Sequence, residues 1–303
     1  MNEQSAIRLE GVEQQRSHFR LGPITLDIPL GYVTAIVGPN GSGKSSTFRM
    51  LLDLAKADKG TITVLGHRIG DGSDTALKRR IGYLPEQFGS HDGGMKASAK
   101  TNFTKVWYDQ WDVNLYRELL RLFEVDDSMK LNRMSKGTRR KYELALMLAH
   151  HPELLLLDEP SSGLDPLVWR TMIDILHRYM EHGDRTILMA SHIIEEVKRL
   201  ADYIVFMGYG QVLGVYEKDE LFSSWHAFYI NSEGFTKKTA QSVPGQCSIE
   251  ETGGGSYRIV TRKALEAEQW LEREQIRIIG RQALNLDDIL AVLIEQERIR
   301  VRS

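Results

Sequence analysis

Gly38-Pro39-Asn40-Gly41-Ser42-Gly43-Lys44-Ser45 decides the fold of this chain. The stretch fits G-x-x-x-x-G-K-[ST] without a mismatch. A short apolar run, residues 32–37, enters it. A helical pattern over residues 45–54 leaves it, with Phe48, Met50, Leu51 and Leu54 near helical spacing. Strand, glycine loop and helix in that order make a phosphate cradle. Glycines let the backbone turn tightly and aim N–H groups inward, and the helix start adds its positive end. In such a cradle Lys44 reaches the β- and γ-phosphates, the Ser45 hydroxyl serves Mg²⁺, and Ser46 completes the nucleotide-binding set that begins at Gly38.

A second stretch, Leu154-Leu155-Leu156-Leu157-Asp158-Glu159, is an apolar run of strand length ending in two carboxylates. A buried parallel strand has this composition, and its C-terminal end is where α/β sites form. Asp158 suits the Mg²⁺ shell. Glu159 is placed to take a proton from an attacking water as general base. Taken alone, an acidic strand end is often no more than a turn; beside the cradle it gains meaning.

Outward from these two stretches the chain alternates short strands and helices. Strands are expected at residues 6–11, 24–28, 61–65 and 186–190, and helices at 113–123, 136–149, 168–180 and 193–200. Residues 203–207 and 211–215 read as a hairpin turning at Gly208 to Gly210. Past residue 221 the composition shifts. Strands at 226–230, 248–251, 257–260 and 276–279, the middle two joined by Gly253, Gly254 and Gly255, and helices at 264–274 and 286–295 suggest a small α+β appendage.

Bulk properties narrow the setting. The chain has 303 residues, 42% apolar and 26% charged, an ordinary globular balance. Its net charge of −2 gives no global field for nucleic acid, and no nucleic-acid partner is expected. The single cysteine, Cys247, cannot form an internal disulfide and suits a reducing cytosol. The first residues lack the apolar core of a signal peptide. The apolar runs, such as 144–149 and 154–157, fall far short of the ~18 residues of a membrane helix, so work at a membrane would pass through a partner.

Further motifs follow in a fixed order. Met134-Ser135-Lys136-Gly137-Thr138-Arg139 resembles L-S-G-G-Q, with Lys136 in place of the first glycine and Thr138 in place of the glutamine. Ser162-Gly163-Leu164-Asp165 is similar to a D-loop, and Ser191-His192 to a switch histidine. A lone histidine after a strand is more often a capping or surface residue; the ordered set carries the reading. Over roughly residues 6–221 the chain resembles the ATP-binding subunits of ABC transporters. That resemblance implies a P-loop NTPase (RecA-like) α/β core with an antiparallel β subdomain and a helical subdomain at about residues 88–150. The cassette would occupy 1–221 and the α+β appendage 222–303.

The resemblance also implies roles and partners. ATP and Mg²⁺ are the cofactors, and Lys44, Asp158, Glu159 and His192 carry hydrolysis. Ser135, Lys136 and Gly137 act in trans on the nucleotide of a second cassette, identical or different, and Asp165 communicates across the pair. Integral-membrane transporter subunits are the further partners, which places the chain peripherally on the cytoplasmic face of a bacterial cell membrane. In Ile81-Gly82-Tyr83-Leu84-Pro85-Glu86-Gln87 the register puts Glu86, rather than Gln87, at the usual metal-sensing glutamine. Arg16 falls where an adenine-stacking aromatic is usual, with His18 and Phe19 as the nearest rings; a guanidinium can itself stack. Trp107, Tyr108 and Trp111 read as helix core, or else as a docking surface. Trp111-Asp112, Leu119-Leu120, the Ser135-Lys136-Gly137 wording and residues 284–293 look like bacterial ABC-2-type, YtrB-like exporters. A soluble ABC ATPase of translation or DNA repair stays as the alternative, against which stand one P-loop and no sustained heptads. A P-loop GTPase lacks support, since no Asn-Lys-x-Asp guanine-reading motif is present, and intact Lys44, Asp158, Glu159 and His192 argue against a non-hydrolysing binder.

Overall fold

The computed structural model describes residues 4–16, 19–70, 74–231, 235–252 and 255–302. It holds two compact units: residues 1–201 with 207–212, and residues 202–206 with 213–303.

In the first unit, β1 (Ser5–Arg16) and β2 (Phe19–Pro29) pair antiparallel. Their burial alternates, so Ile7, Leu9, Leu21, Ile24, Leu26 and Ile28 turn to one interior while Arg8 and Asp27 face water. β1 is longer than its apolar alternation over 6–11 suggests. Register shifts between Leu9 and Val12, and again before Gln14, break the period without ending the strand. With β4 (Lys59–Val64) and β5 (His67–Arg68) these strands make a sheet of order β2-β1-β4-β5, the expected antiparallel subdomain.

β3 (Val33–Val37) begins a parallel sheet with β6 (Ile81–Leu84), β7 (Leu154–Asp158) and β8 (Thr186–Ala190), in the order β3-β8-β7-β6. Every residue of β3, β7 and β8 is buried, which is why these strands read as unbroken apolar runs. α1 (Lys44–Leu51) follows the glycine loop. It stops three residues before the expected end because Asp53 takes φ +55°, and Leu54 turns out to water. A short α2 (Asp74–Arg79), invisible to periodicity, precedes β6.

α3 (Ala97–Lys105), α4 (Val113–Leu122) and α5 (Lys136–Leu148) form the helical part. Asp112 caps α4, accepting from the N–H groups of Asn114 and Leu115. The expected aromatic core divides. Tyr108 stacks on His150 at 3.9 Å and Trp111 lies 5.7 Å from Tyr116, but Trp107 is exposed beside Phe103 and Val106. α6 (Pro166–Met180) and α7 (Ile194–Leu200) complete the helices of this unit. β9 (Tyr203–Gly208) and β10 (Gln211–Glu217) form the expected hairpin, whose turn belongs to the first unit and whose outer parts belong to the second.

In the second unit α8 (Lys218–Ser224) leads to β11 (His226–Asn231), α9 (Lys237–Ala240), β12 (Gln246–Thr252), β13 (Ser256–Thr261), α10 (Ala264–Arg273) and β14 (Ile278–Ala283). The sheet order is β12-β13-β11-β14 with antiparallel neighbours throughout, the split βαβ arrangement of ferredoxin-like domains. Phe228, Ile230, Ile259, Ala267 and Leu271 build its core. α11 (Leu286–Arg302) runs past the expected residue 295. Gly253 and Gly254 of the expected hairpin lie outside the described residues. Among the described residues, no helix is long and apolar enough to cross a membrane.

Candidate functional site

Two glycines shape the loop between β3 and α1. Gly43 holds φ +111° at the start of α1, where a Cβ would collide with Leu21 Cδ1. Gly38 lies so close to the carbonyl of Met207 that no side chain fits. Buried Lys44 donates from Nζ to the carbonyl oxygens of Gly38 at 2.7 Å and Pro39 at 3.3 Å. Burial pushes its pKa down, while Glu159, Asp158 and Glu86 push it back up. Neutral carbonyls are weaker partners for an ammonium than phosphate oxygens would be.

Asp158 ends β7 at 3% exposure. Burial raises its pKa above the usual carboxylate value; a hydrogen bond with Ser45 lowers it, Glu159 and Glu86 raise it further, and Lys44 lowers it. Its Oδ1 is enclosed without a hydrogen-bond partner. A desolvated carboxylate oxygen beside a serine hydroxyl suits a hard divalent cation. Among the described residues, no three His, Cys, Asp or Glu side chains converge on a metal position. Mg²⁺ fits this donor set, because it is held by one or two carboxylates together with substrate phosphates rather than by a protein cage.

Glu159 adopts φ +50°, unusual for a residue with a side chain. Its N–H donates to Ala190 O at 2.9 Å, and its carbonyl accepts from Ser162 N at 3.0 Å, so the turn is fixed on both sides. His192 Nδ1 lies 2.6 Å from Glu159 Oε2. The carboxyl side chain is 10% exposed and the imidazole 64%, so a nearly buried group is held by a ring that reaches water.

These groups share one cleft of about 590 Å³. Asn40 through Ser46, Glu86, Asp158, Glu159 and His192 line it, and Arg16 and Phe19 stand at its side. Gly38 and Pro39 are not among the lining residues; their carbonyls accept from Lys44, which is. Gln87 is exposed and does not line it, whereas half-buried Glu86 does. Arg16 and Phe19 face each other across the β1–β2 pair, with Arg16 Nε donating to Gln14 Oε1 at 3.1 Å. His18 lies outside the described residues.

Ser135, Lys136, Gly137 and Asp165 are not among the lining residues. Ser135 caps α5, its Oγ accepting from Thr138 N at 3.0 Å. Lys136 Nζ donates to Ser162 Oγ at 2.6 Å, and Gly137 packs on the carbonyl of Gly163, where a Cβ would come within 2.5 Å. Asp165 caps α6, accepting from Val168 N and Leu167 N at 3.0 Å each, and those backbone bonds hold its pKa low. The signature-like and D-loop-like segments therefore touch each other and stand apart from the cleft of their own chain.

Two buried residues escape the sequence reading. Glu196 on α7 is fully buried and accepts from Ser191 Oγ at 2.6 Å, tying α7 to the residue before His192. Arg140 on α5 is also fully buried and reaches the carbonyl of Glu86. An isolated Glu or Arg on a helix reads as a solvent-facing residue, so neither has a local signal.

Residues 21–162 match the ABC transporter family. The chain is 34% identical over 206 residues to the daunorubicin/doxorubicin resistance ATP-binding protein DrrA of Streptomyces peucetius, covering 66% of this chain and 62% of DrrA. It is 29% identical to the ABC transporter ATP-binding protein YtrB of Bacillus subtilis, over 66% of this chain and 68% of YtrB. To the ABC transporter I family member 17 of Arabidopsis thaliana it is 30% identical, over 67% of this chain and 78% of the relative. A solved ATP-binding subunit of an ABC transporter shares the fold at a TM-score of 0.65 and 24% identity, covering 72% of this chain and 92% of the other. So does a dimeric ATP-binding cassette in a post-hydrolysis state with ADP and phosphate, at 0.60 and 22%, covering 70% and 98%. The chain belongs to the ABC transporter family.

Proposed function

We propose that the chain binds and hydrolyses ATP and that this turnover drives an integral-membrane transporter subunit. The observation that carries the reading is the single cleft that gathers Lys44, Ser45, Glu86, Asp158, Glu159 and His192. Lys44 leaves the loop carbonyls to hold the β- and γ-phosphates. Ser45, Asp158 and Glu86 would hold Mg²⁺, which when bound would neutralise charge on the phosphates. Glu159 takes the proton of the attacking water. His192 keeps the carboxylate aimed through Nδ1, which leaves its other ring nitrogen for the γ-phosphate. Arg16 or Phe19 stacks on the adenine. Positioning and electrostatics supply the catalysis.

Because Ser135, Lys136 and Gly137 do not line their own cleft, we assign them to the nucleotide of a second cassette, with Asp165 beside them at the joint. The dimeric cassette among the similar structures supports this arrangement. We assign the cassette to residues 1–221 and an accessory domain to 222–303. The likeness to DrrA, whose name records drug resistance, and to YtrB favours an exporter of the ABC-2 type at the cytoplasmic face of a bacterial membrane.

Two measurements test the proposal. Purified chain should release phosphate from ATP only with Mg²⁺, and membranes of the source cell should yield a multi-span protein bound to it. Absence of Mg²⁺-dependent phosphate release defeats the enzymatic reading; a pull-down dominated by ribosomes or DNA defeats the transport reading.

A further inference from the structure

The segment from Glu86 to Asp92 is gripped by two consecutive arginines of α5. Arg140 Nη2 donates to the backbone carbonyl of Glu86 at 2.7 Å. Arg139 Nη2 donates to Asp92 Oδ2 at 2.6 Å. The ring of Phe88 packs against both, its centroid 5.4 Å from each guanidinium carbon. Arg139 also belongs to a four-membered ion ring, with Asp92, Lys100 and Glu143.

The two arginines differ in what they hold. Arg139 spends its donors on carboxylates of the helical part. Arg140, with no exposed surface, puts one donor on Glu86, while its Nε and Nη1 have no partner. A buried guanidinium left half-satisfied is costly, and a core helix has cheaper ways to fill that space. The carboxylates that act on it are Glu86, Asp158, Glu159 and Glu196. Arg140 is thus the point at which the helix capped by Ser135 touches the acidic corner of the cleft.

We propose that Arg140 is a positioning residue that sets Glu86 at the metal corner of the nucleotide cleft and makes that setting follow the position of α5. Ser135 and Arg140 are five residues apart, about 7.5 Å along a rigid helix. When Ser135, Lys136 and Gly137 engage the nucleotide of a second cassette, α5 moves as a body and Arg140 carries Glu86 with it. Contact made in trans at the start of α5 is in this way reported in cis at the metal. The proposal rests on the assignment of Ser45, Asp158 and Glu86 to Mg²⁺.

The test is calorimetric titration of the full chain with the non-hydrolysable ATP analogue AMP-PNP, in Mg²⁺ and in EDTA. The readout is the factor by which Mg²⁺ tightens binding. Arg140→Met should lose about tenfold of that factor while metal-free affinity stays within about twofold. Arg139→Met, which breaks the ion ring, should lower the melting temperature and leave the Mg²⁺ factor intact. An Arg140→Met protein with the native factor overturns the proposal, as does an equal loss with and without metal, which would mark a purely structural role. If Arg140→Met does not fold, Arg140→Lys decides: it keeps charge but loses the planar fork, so about threefold of the factor should go, and a native factor overturns the proposal. A native chain with no Mg²⁺ factor defeats the metal assignment itself, and this inference with it. A native factor that survives the Arg140 change defeats the inference alone.

Discussion

Replacing Glu159 by glutamine removes one negative charge and almost no volume. Glu159 lies beside Asp158 and accepts from His192 Nδ1 at 2.6 Å. The glutamine carbonyl keeps that acceptor, so His192 and the turn at φ +50° stay in place. Loss of charge assistance in one hydrogen bond costs about 1 kcal/mol of stability or less. The chemical step suffers far more, since an amide takes no proton from water. General-base catalysis contributes about 10²- to 10⁴-fold, or about 3–5 kcal/mol of barrier. Removing the Glu159 charge also relieves repulsion toward the incoming phosphates, so ATP binding should be unchanged or tighter. The assay is steady-state phosphate release with calorimetric ATP affinity on the same sample, and size-exclusion chromatography with ATP for a trapped dimer. Turnover within about threefold of native would refute the role given to Glu159. Loss of ATP affinity together with turnover would show instead that its charge holds the loop together.

Lys44→Ala should abolish detectable nucleotide binding in calorimetry, because the ammonium that bridges Gly38 and Pro39 is also the phosphate partner. Arg139→Met leaves Lys100 alone between Asp92 and Glu143 and should cost about 3 kcal/mol in urea denaturation. The acid limb of stability should change with it. Burial works to raise the pKa of Asp92, but hydrogen bonds from Lys100 and Arg139 outweigh it and hold the value below 3.8. A depressed carboxylate stabilises the fold above its unfolded pKa and loses that contribution as pH falls through the folded value, so Arg139→Met should flatten stability against pH below about 4. Glu196→Ala removes the acceptor of Ser191 and should cost about 1–3 kcal/mol, with slower turnover as the turn that carries His192 loosens; native stability in urea would count against that contact.

The parts legible in the sequence are those whose chemistry is local. The strand, glycine loop and helix around Lys44 are consecutive, and Leu154 to Leu157 are apolar on both faces because both faces of β7 are covered. The cleft residues were readable as well, since each sits at a strand end or in a named loop. Short helices such as α2, α8 and α9 span too little of a period to declare themselves. β14 was expected at residues 276–279 but runs Ile278–Ala283. Ile276 packs into the core before the strand starts, and pairing with β11, rather than apolar alternation, carries Arg281 and Gln282 into the sheet. Trp107 suggested core by its bulk, yet position on the exposed side of its turn leaves it in water. Arg140 and Glu196 gain meaning only from neighbours 54 and 5 residues away, respectively, contacts no spacing rule encodes.

The placement of Ser135, Lys136 and Gly137 apart from the cleft has a consequence for the rate law. On the proposed reading each chain brings half of two reaction centres and the whole of none. Activity per chain then rises with concentration and falls on dilution, and two chains meeting become the elementary catalytic event. A membrane subunit that holds two cassettes side by side would free turnover from bulk concentration by raising the local one, so a transporter of this design gains catalytic capacity by tethering alone.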